Sequence, residues 1–158
     1  MQLFPLKSVR LTHGVFKNAQ NVDLRYILAL NTDKLLAPYL IDAGLPLKAA
    51  RYGNWESSGL DGHIGGHYLS ALAMMYASTK NPELKNRLDY MVSELARCQA
   101  KNSNDYVGGI PQGKVFWQRI HNKIPETEQL SKNFVLKISA NKGVYSPRIH
   151  QIRLTIKL

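Results

Sequence analysis

The chain has one cysteine, Cys98, in 158 residues. A lone thiol builds neither a disulfide framework nor a thiolate cage for a metal, and it leaves the redox compartment open. Long apolar runs are also missing. The longest, residues 26–30 and 71–77, fall well short of the ~18 residues a membrane span requires, so no membrane role is expected. The opening MQLFPLKSVRL lacks a charged region followed by an apolar block and a small-residue cleavage site, so the chain as given reads as having no signal peptide. Acidic residues are few, 11 against 21 lysines and arginines, which leaves a net charge of +10. Half of that excess lies in residues 121–158. The basic side chains are nevertheless scattered singly, with no cluster and no interleaved aromatic ladder. Nucleic acid is therefore not the expected partner.

What is present is enough for one domain with a core, since 44% of the residues are hydrophobic. Residues 15–31, VFKNAQNVDLRYILALN, place apolar side chains at 15, 16, 19, 22, 26, 27 and 30, a helical period that leaves Lys17, Asp23 and Arg25 for the wet face. A second helix follows, capped by Thr32 or Asp33, with Leu35, Leu36, Tyr39 and Leu40 as its stripe and Gly44 at its end. Pro38 is awkward within it, because it removes a backbone hydrogen bond and favours a kink. Residues 64–78 read as helical again. The clearest helix comes next, with Asn81 as cap, Pro82 at its first position, and Leu84, Leu88, Met91, Leu95 and Cys98 on one face. The short connection predicts that these two helices pack as an antiparallel hairpin. The tail changes character. Residues 133–139 and 152–158 alternate like strands and 141–143 form a turn signal, so this basic tail reads as strand-like or disordered.

The most informative segment is residues 52–76, YGNWESSGLDGHIGGHYLSALAMMY. Gly53, Gly59, Gly62, Gly65 and Gly66 fall within fourteen residues, beside Trp55, Glu56, His63 and His67. Such a density marks backbone that turns sharply or admits a close neighbour. An aromatic face beside a carboxylate and imidazoles is what a sugar-binding cleft uses. Residues 106–113, YVGGIPQG, form a second glycine-rich loop, with Phe116 and Trp117 beyond it.

Taken together, YGNWESSGLDGHIGGHYLSALAMMYASTKNPELKNRLDYMVSELARCQ and the later DYVGGIPQGKVFW resemble glycoside hydrolase families 127 and 146, formerly a domain of unknown function. The earlier VRLTHGVFKNAQNVDLRYILALNTDKLLAPYLIDAGL resembles the start of the same domain. The likeness covers about residues 8–120. Two departures are Gly53-Asn54-Trp55, where a second glycine is common, and Ile64-Gly65-Gly66 in place of a Thr-Leu-Gly type of sequence. The resemblance implies an all-α fold, part of an (α/α)6 barrel of antiparallel helical hairpins, followed by β-sandwich domains in full-length members. It implies release of β-L-arabinofuranose from glycans by a retaining reaction, with a zinc-bound cysteine as nucleophile and a glutamate as general acid/base. The family's zinc ligands and reacting residues lie downstream of these motifs, and Cys98 matches none of them. No catalytic residue and no metal ligand is therefore carried over. The expectation is an opening fragment of the domain over 8–120, without zinc and inactive alone, with 121–158 an atypical tail read out of frame.

Each site residue has a plainer alternative. Trp55 and Glu56 line a sugar cleft, or else anchor a loop, with Trp packed and Glu capping local amides. His63 and His67, four apart at a helix start, hold sugar hydroxyls, or pair on a metal that lacks a third ligand nearby. The expected partner is an arabinose-containing glycan, and the oligomeric state is open. The rival function is a small helical carbohydrate-binding or interaction module complete as encoded.

Overall fold

The computed structural model describes residues 4–102 and 106–121. Among them the regular structure is wholly helical: α1 (Val15–Ala29), α2 (Thr32–Asp42), α3 (His63–Thr79), α4 (Pro82–Asn102) and α5 (Gly113–His121), with single 3-10 turns at Leu6–Ser8 and Asn54–Ser57. The all-α expectation holds, and the arrangement is that of a partial helical barrel. The strand candidates at 133–139 and 152–158 and the turn at 141–143 lie outside the described residues. No described helix is long and apolar enough to cross a membrane.

The helix signals act largely where the sequence places them. Asn81 Oδ1 accepts from the Glu83 amide at 2.9 Å and opens α4. Every residue of its predicted stripe, Leu84, Leu88, Met91, Leu95 and Cys98, is buried. Lys80, in the left-handed region, ends α3, and two residues later α4 begins, so the chain must reverse on itself. The most extensive helix contact is accordingly between α3 and α4, and α2 lies against α4. Leu35, Leu36 and Leu40 of α2 meet Leu69 and Leu72 of α3 in that core. Burial of such side chains contributes about 1.5–3 kcal/mol each before chain entropy is counted.

Two local expectations are corrected. The cap of α2 is Asn31, whose Oδ1 accepts from the Lys34 amide at 3.1 Å, one residue before Thr32. Pro38 is fully buried inside α2, which runs on to Asp42. The second correction concerns α1. Only part of its predicted stripe turns inward: Ile27 and Leu30 meet the core together with Leu24 and Leu28, while Val15, Phe16, Val22 and Tyr26 stay exposed. Two apolar faces share this helix, and periodicity cannot say which of them a neighbour covers. The helix α5 was not foreseen, because a glycine and two aromatics next to a loop obscure its period.

Polar ties hold the ends of the helices in place. Tyr90 Oη donates to Asp33 Oδ1 at 2.5 Å and accepts from Lys48 Nζ at 2.8 Å. Lys48 also pairs with Glu94 at 3.0 Å, so α4 holds both the start of α2 and the chain that follows it. Arg87 donates to the Leu30 carbonyl at 3.0 Å, and Tyr68 donates to that of Ile27 at 3.1 Å. These bonds satisfy carbonyls at the end of α1 that have no partner within the helix.

Candidate functional site

The glycine-rich segment folds as a tight loop leading into α3, and two carboxylates shape it from beneath. Glu56 is 1% exposed. Its Oε2 accepts from the Gly62 amide at 2.9 Å and its Oε1 from the Ile64 amide at 2.9 Å. These amides are among the donors that the first turn of a helix leaves unsatisfied, and a negative charge there is favoured by the helix dipole. Oε1 also lies 3.1 Å from His63 Nδ1. Asp61, 2% exposed, accepts from the Gly59 amide at 3.0 Å and pairs with Arg51. For Glu56, the loop-anchor alternative describes what the carboxylate does.

Glycine is required at three points of this arrangement. Gly62 adopts φ 86°, and a Cβ there would meet Gly109 Cα at 3.0 Å. A Cβ on Gly65 would meet Tyr39 Cε2 at 2.9 Å and the Leu35 carbonyl oxygen at 3.1 Å. One on Gly109 would meet Pro38 Cβ at 2.8 Å. The two glycine-rich loops, far apart in sequence, therefore touch each other over α2. Tyr39 Oη donates to the Gly62 carbonyl across this junction, and burial pushes its phenol well above the ordinary range, with the Glu56 charge adding to the shift.

Above Glu56 the aromatic side chains form a string that reaches solvent. Trp55 is 63% exposed, so it is not the packed anchor of the alternative reading. Its ring centroid lies 6.0 Å from that of His63 at an interplanar angle of 36°. His63 in turn meets His67 edge-on at 5.8 Å. His63 is half-buried and His67 exposed. The structure thus brings Trp55, Glu56, His63 and His67 into one place, with three rings on top and the carboxylate below. Trp55 offers an apolar face of the kind that stacks on a sugar ring, and the imidazoles offer hydrogen-bonding nitrogens beside it. Asp61, Arg51 and Tyr39 also build the site. Asp61 and Arg51 lie within or next to the loop and Tyr39 on the α2 stripe, but no local pattern marks them as site residues, since their burial and pairing come from the fold.

A zinc-bound thiolate does not fit the residues described. Cys98 is 1% exposed within the α4 core stripe, and burial, reinforced by Glu94, pushes its thiol up to about 11. Thiolate ligands need the opposite environment. Among the described residues, no three His, Cys, Asp or Glu side chains gather in a group able to hold a metal ion.

No curated protein sequence gives a significant match to the chain. A family model described as beta-L-arabinofuranosidase, GH127 catalytic domain, matches residues 8–150. The match continues past residue 120, where the motif likeness ends. Matched over most of its length, the chain belongs to the family of the GH127 beta-L-arabinofuranosidase catalytic domain.

Proposed function

We propose that this chain supplies a carbohydrate-facing rim of a glycoside hydrolase domain, and that its ligand is an arabinose-containing glycan. The exposed indole of Trp55, set in line with His63 and His67 over a buried carboxylate, carries this reading. In it, Trp55 stacks on the apolar face of a furanose, while His63 and His67 exchange hydrogen bonds with its hydroxyls. Glu56 supports the site from below, its oxygens engaged by the Gly62 and Ile64 amides and by His63.

The reading does not extend to bond cleavage by the chain alone. A thiol nucleophile must be exposed and ionised. Cys98, the only thiol in the sequence, is buried and held neutral near pH 7. Purified chain supplied with zinc is expected to release no nitrophenol from p-nitrophenyl β-L-arabinofuranoside. It is expected to bind methyl β-L-arabinofuranoside in a calorimetric or NMR titration, and Trp55→Ala should weaken that binding by about tenfold, the scale of one aromatic contact. Zinc-dependent turnover would overturn the inactivity. Binding that Trp55→Ala leaves unchanged would overturn the rim.

A further inference from the structure

We propose that Glu56 is a positioning residue that acts through His63, locking the imidazole in the tautomer protonated at Nδ1 so that the neutral ring presents Nε2 as a hydrogen-bond acceptor to a sugar hydroxyl. The acceptor role rests on the carbohydrate reading above; the tautomer does not. Glu56 itself, at 1% exposure, is out of reach of a ligand. The atoms facing Nδ1 decide the proton's place. Glu56 Oε1 lies at 3.1 Å and the Leu60 carbonyl oxygen at 3.2 Å. A carboxylate and a carbonyl only accept, so Nδ1 must carry the hydrogen. The other tautomer would set its lone pair against two oxygens.

The carboxylate is well placed to enforce this, because it cannot turn away. Its two oxygens are pinned by the Gly62 and Ile64 amides, which belong to the first turn of the helix that carries His63. Charge, imidazole and helix start therefore form one rigid unit. The rings of Trp55 and His67 lie beside the imidazole, which keeps part of its surface in solvent. A carboxylate serving only as a helix cap would need the two amides and no contact with the ring. Here the third contact converts a cap into a device that selects what a ligand hydroxyl meets, an acceptor and not a donor.

Long-range proton–nitrogen correlation spectra of the full chain, recorded near pH 8 where an ordinary imidazole is neutral, test the proposal directly. The His63 signals are assigned by their loss in His63→Gln. A pyrrole-type Nδ1 and a pyridine-type Nε2 are expected; a ring protonated mainly at Nε2 overturns the proposal, whatever any variant does. Glu56→Gln should mix the two tautomers and weaken methyl β-L-arabinofuranoside binding by about tenfold, the lower end of what loss of an outer-shell partner costs. A folded Glu56→Gln with unaltered tautomer and affinity also overturns it. If the unsubstituted chain shows the Nδ1–H tautomer but no arabinoside binding, the acceptor role fails along with the rim, and only the positioning of the ring survives.

Discussion

At the scale of single residues, two carboxylates and one thiol show how burial assigns chemistry. Glu56 and Asp61 sit five residues apart in one loop, both nearly inaccessible; Glu56 is engaged by two backbone amides and the His63 imidazole, Asp61 by the Gly59 amide and the Arg51 guanidinium. A buried charge is tolerated only when it is paired and hydrogen-bonded in this way. Cys98 shows the reverse case, a neutral group that the core keeps neutral. Burial moves its thiol from 9.0 to about 11. Between those values the unfolded chain releases a proton that the folded chain retains. The free energy of unfolding is therefore intact below about pH 9 and falls, by on the order of 2 kcal/mol, as pH rises toward about 11. Urea midpoints measured at about pH 8.5 and pH 10.5 should show a larger drop for the unsubstituted chain than for Cys98→Ala. Equal drops would mean that the thiol does not titrate across this range.

At the scale of elements, the start of α3 is where local signals and packing meet. Gly65 and Gly66 are adjacent in sequence and alike in composition, yet the structure gives them opposite roles. A Cβ on Gly65 would press on the Tyr39 ring and on the Leu35 carbonyl, and the latter is backbone that cannot swing aside. Gly66 has nothing within 4 Å of that position. Gly65→Ala is expected to destabilise by about 1–3 kcal/mol through overpacking. Gly66→Ala should stabilise by up to about 1 kcal/mol, because alanine costs less backbone entropy in a helix. Thermal melts of the two variants read the contrast, and a shared sign would show that α2 and α3 are not in the contact described. The double-glycine motif was visible from the sequence. Which glycine is obligatory was not, because Tyr39 and Leu35 come from a different helix.

At the scale of the molecule, the uneven feature is α1. Its inner face, Leu24, Ile27 and Leu28, packs on the core, while Val15, Phe16, Val22 and Tyr26 stay exposed. A group of large apolar side chains on one outer helix is an association liability in water. The chain is expected to self-associate at high concentration, and Phe16→Glu with Val22→Lys should lower the mass seen by light scattering without lowering the melting temperature. Neither side chain is in the buried core, so a fall in stability on substitution would show that this face is covered in solution.

The sequence by itself determined the first four helices and set His63 beside His67. Asn81-Pro82, the stripe from Leu84 to Cys98 and the spacing of His63 and His67 are local patterns, and local geometry turns them directly into caps, faces and neighbours. Family membership was legible for the same reason, since it rests on short motifs in order. Only the tertiary structure decided that Trp55 faces water while Glu56, the next residue, lies beneath it, that the outer stripe of α1 is bare, and that the two glycine-rich loops touch over Pro38 and Tyr39. Exposure and long-range contact depend on which elements meet, and no pattern confined to one segment carries that information.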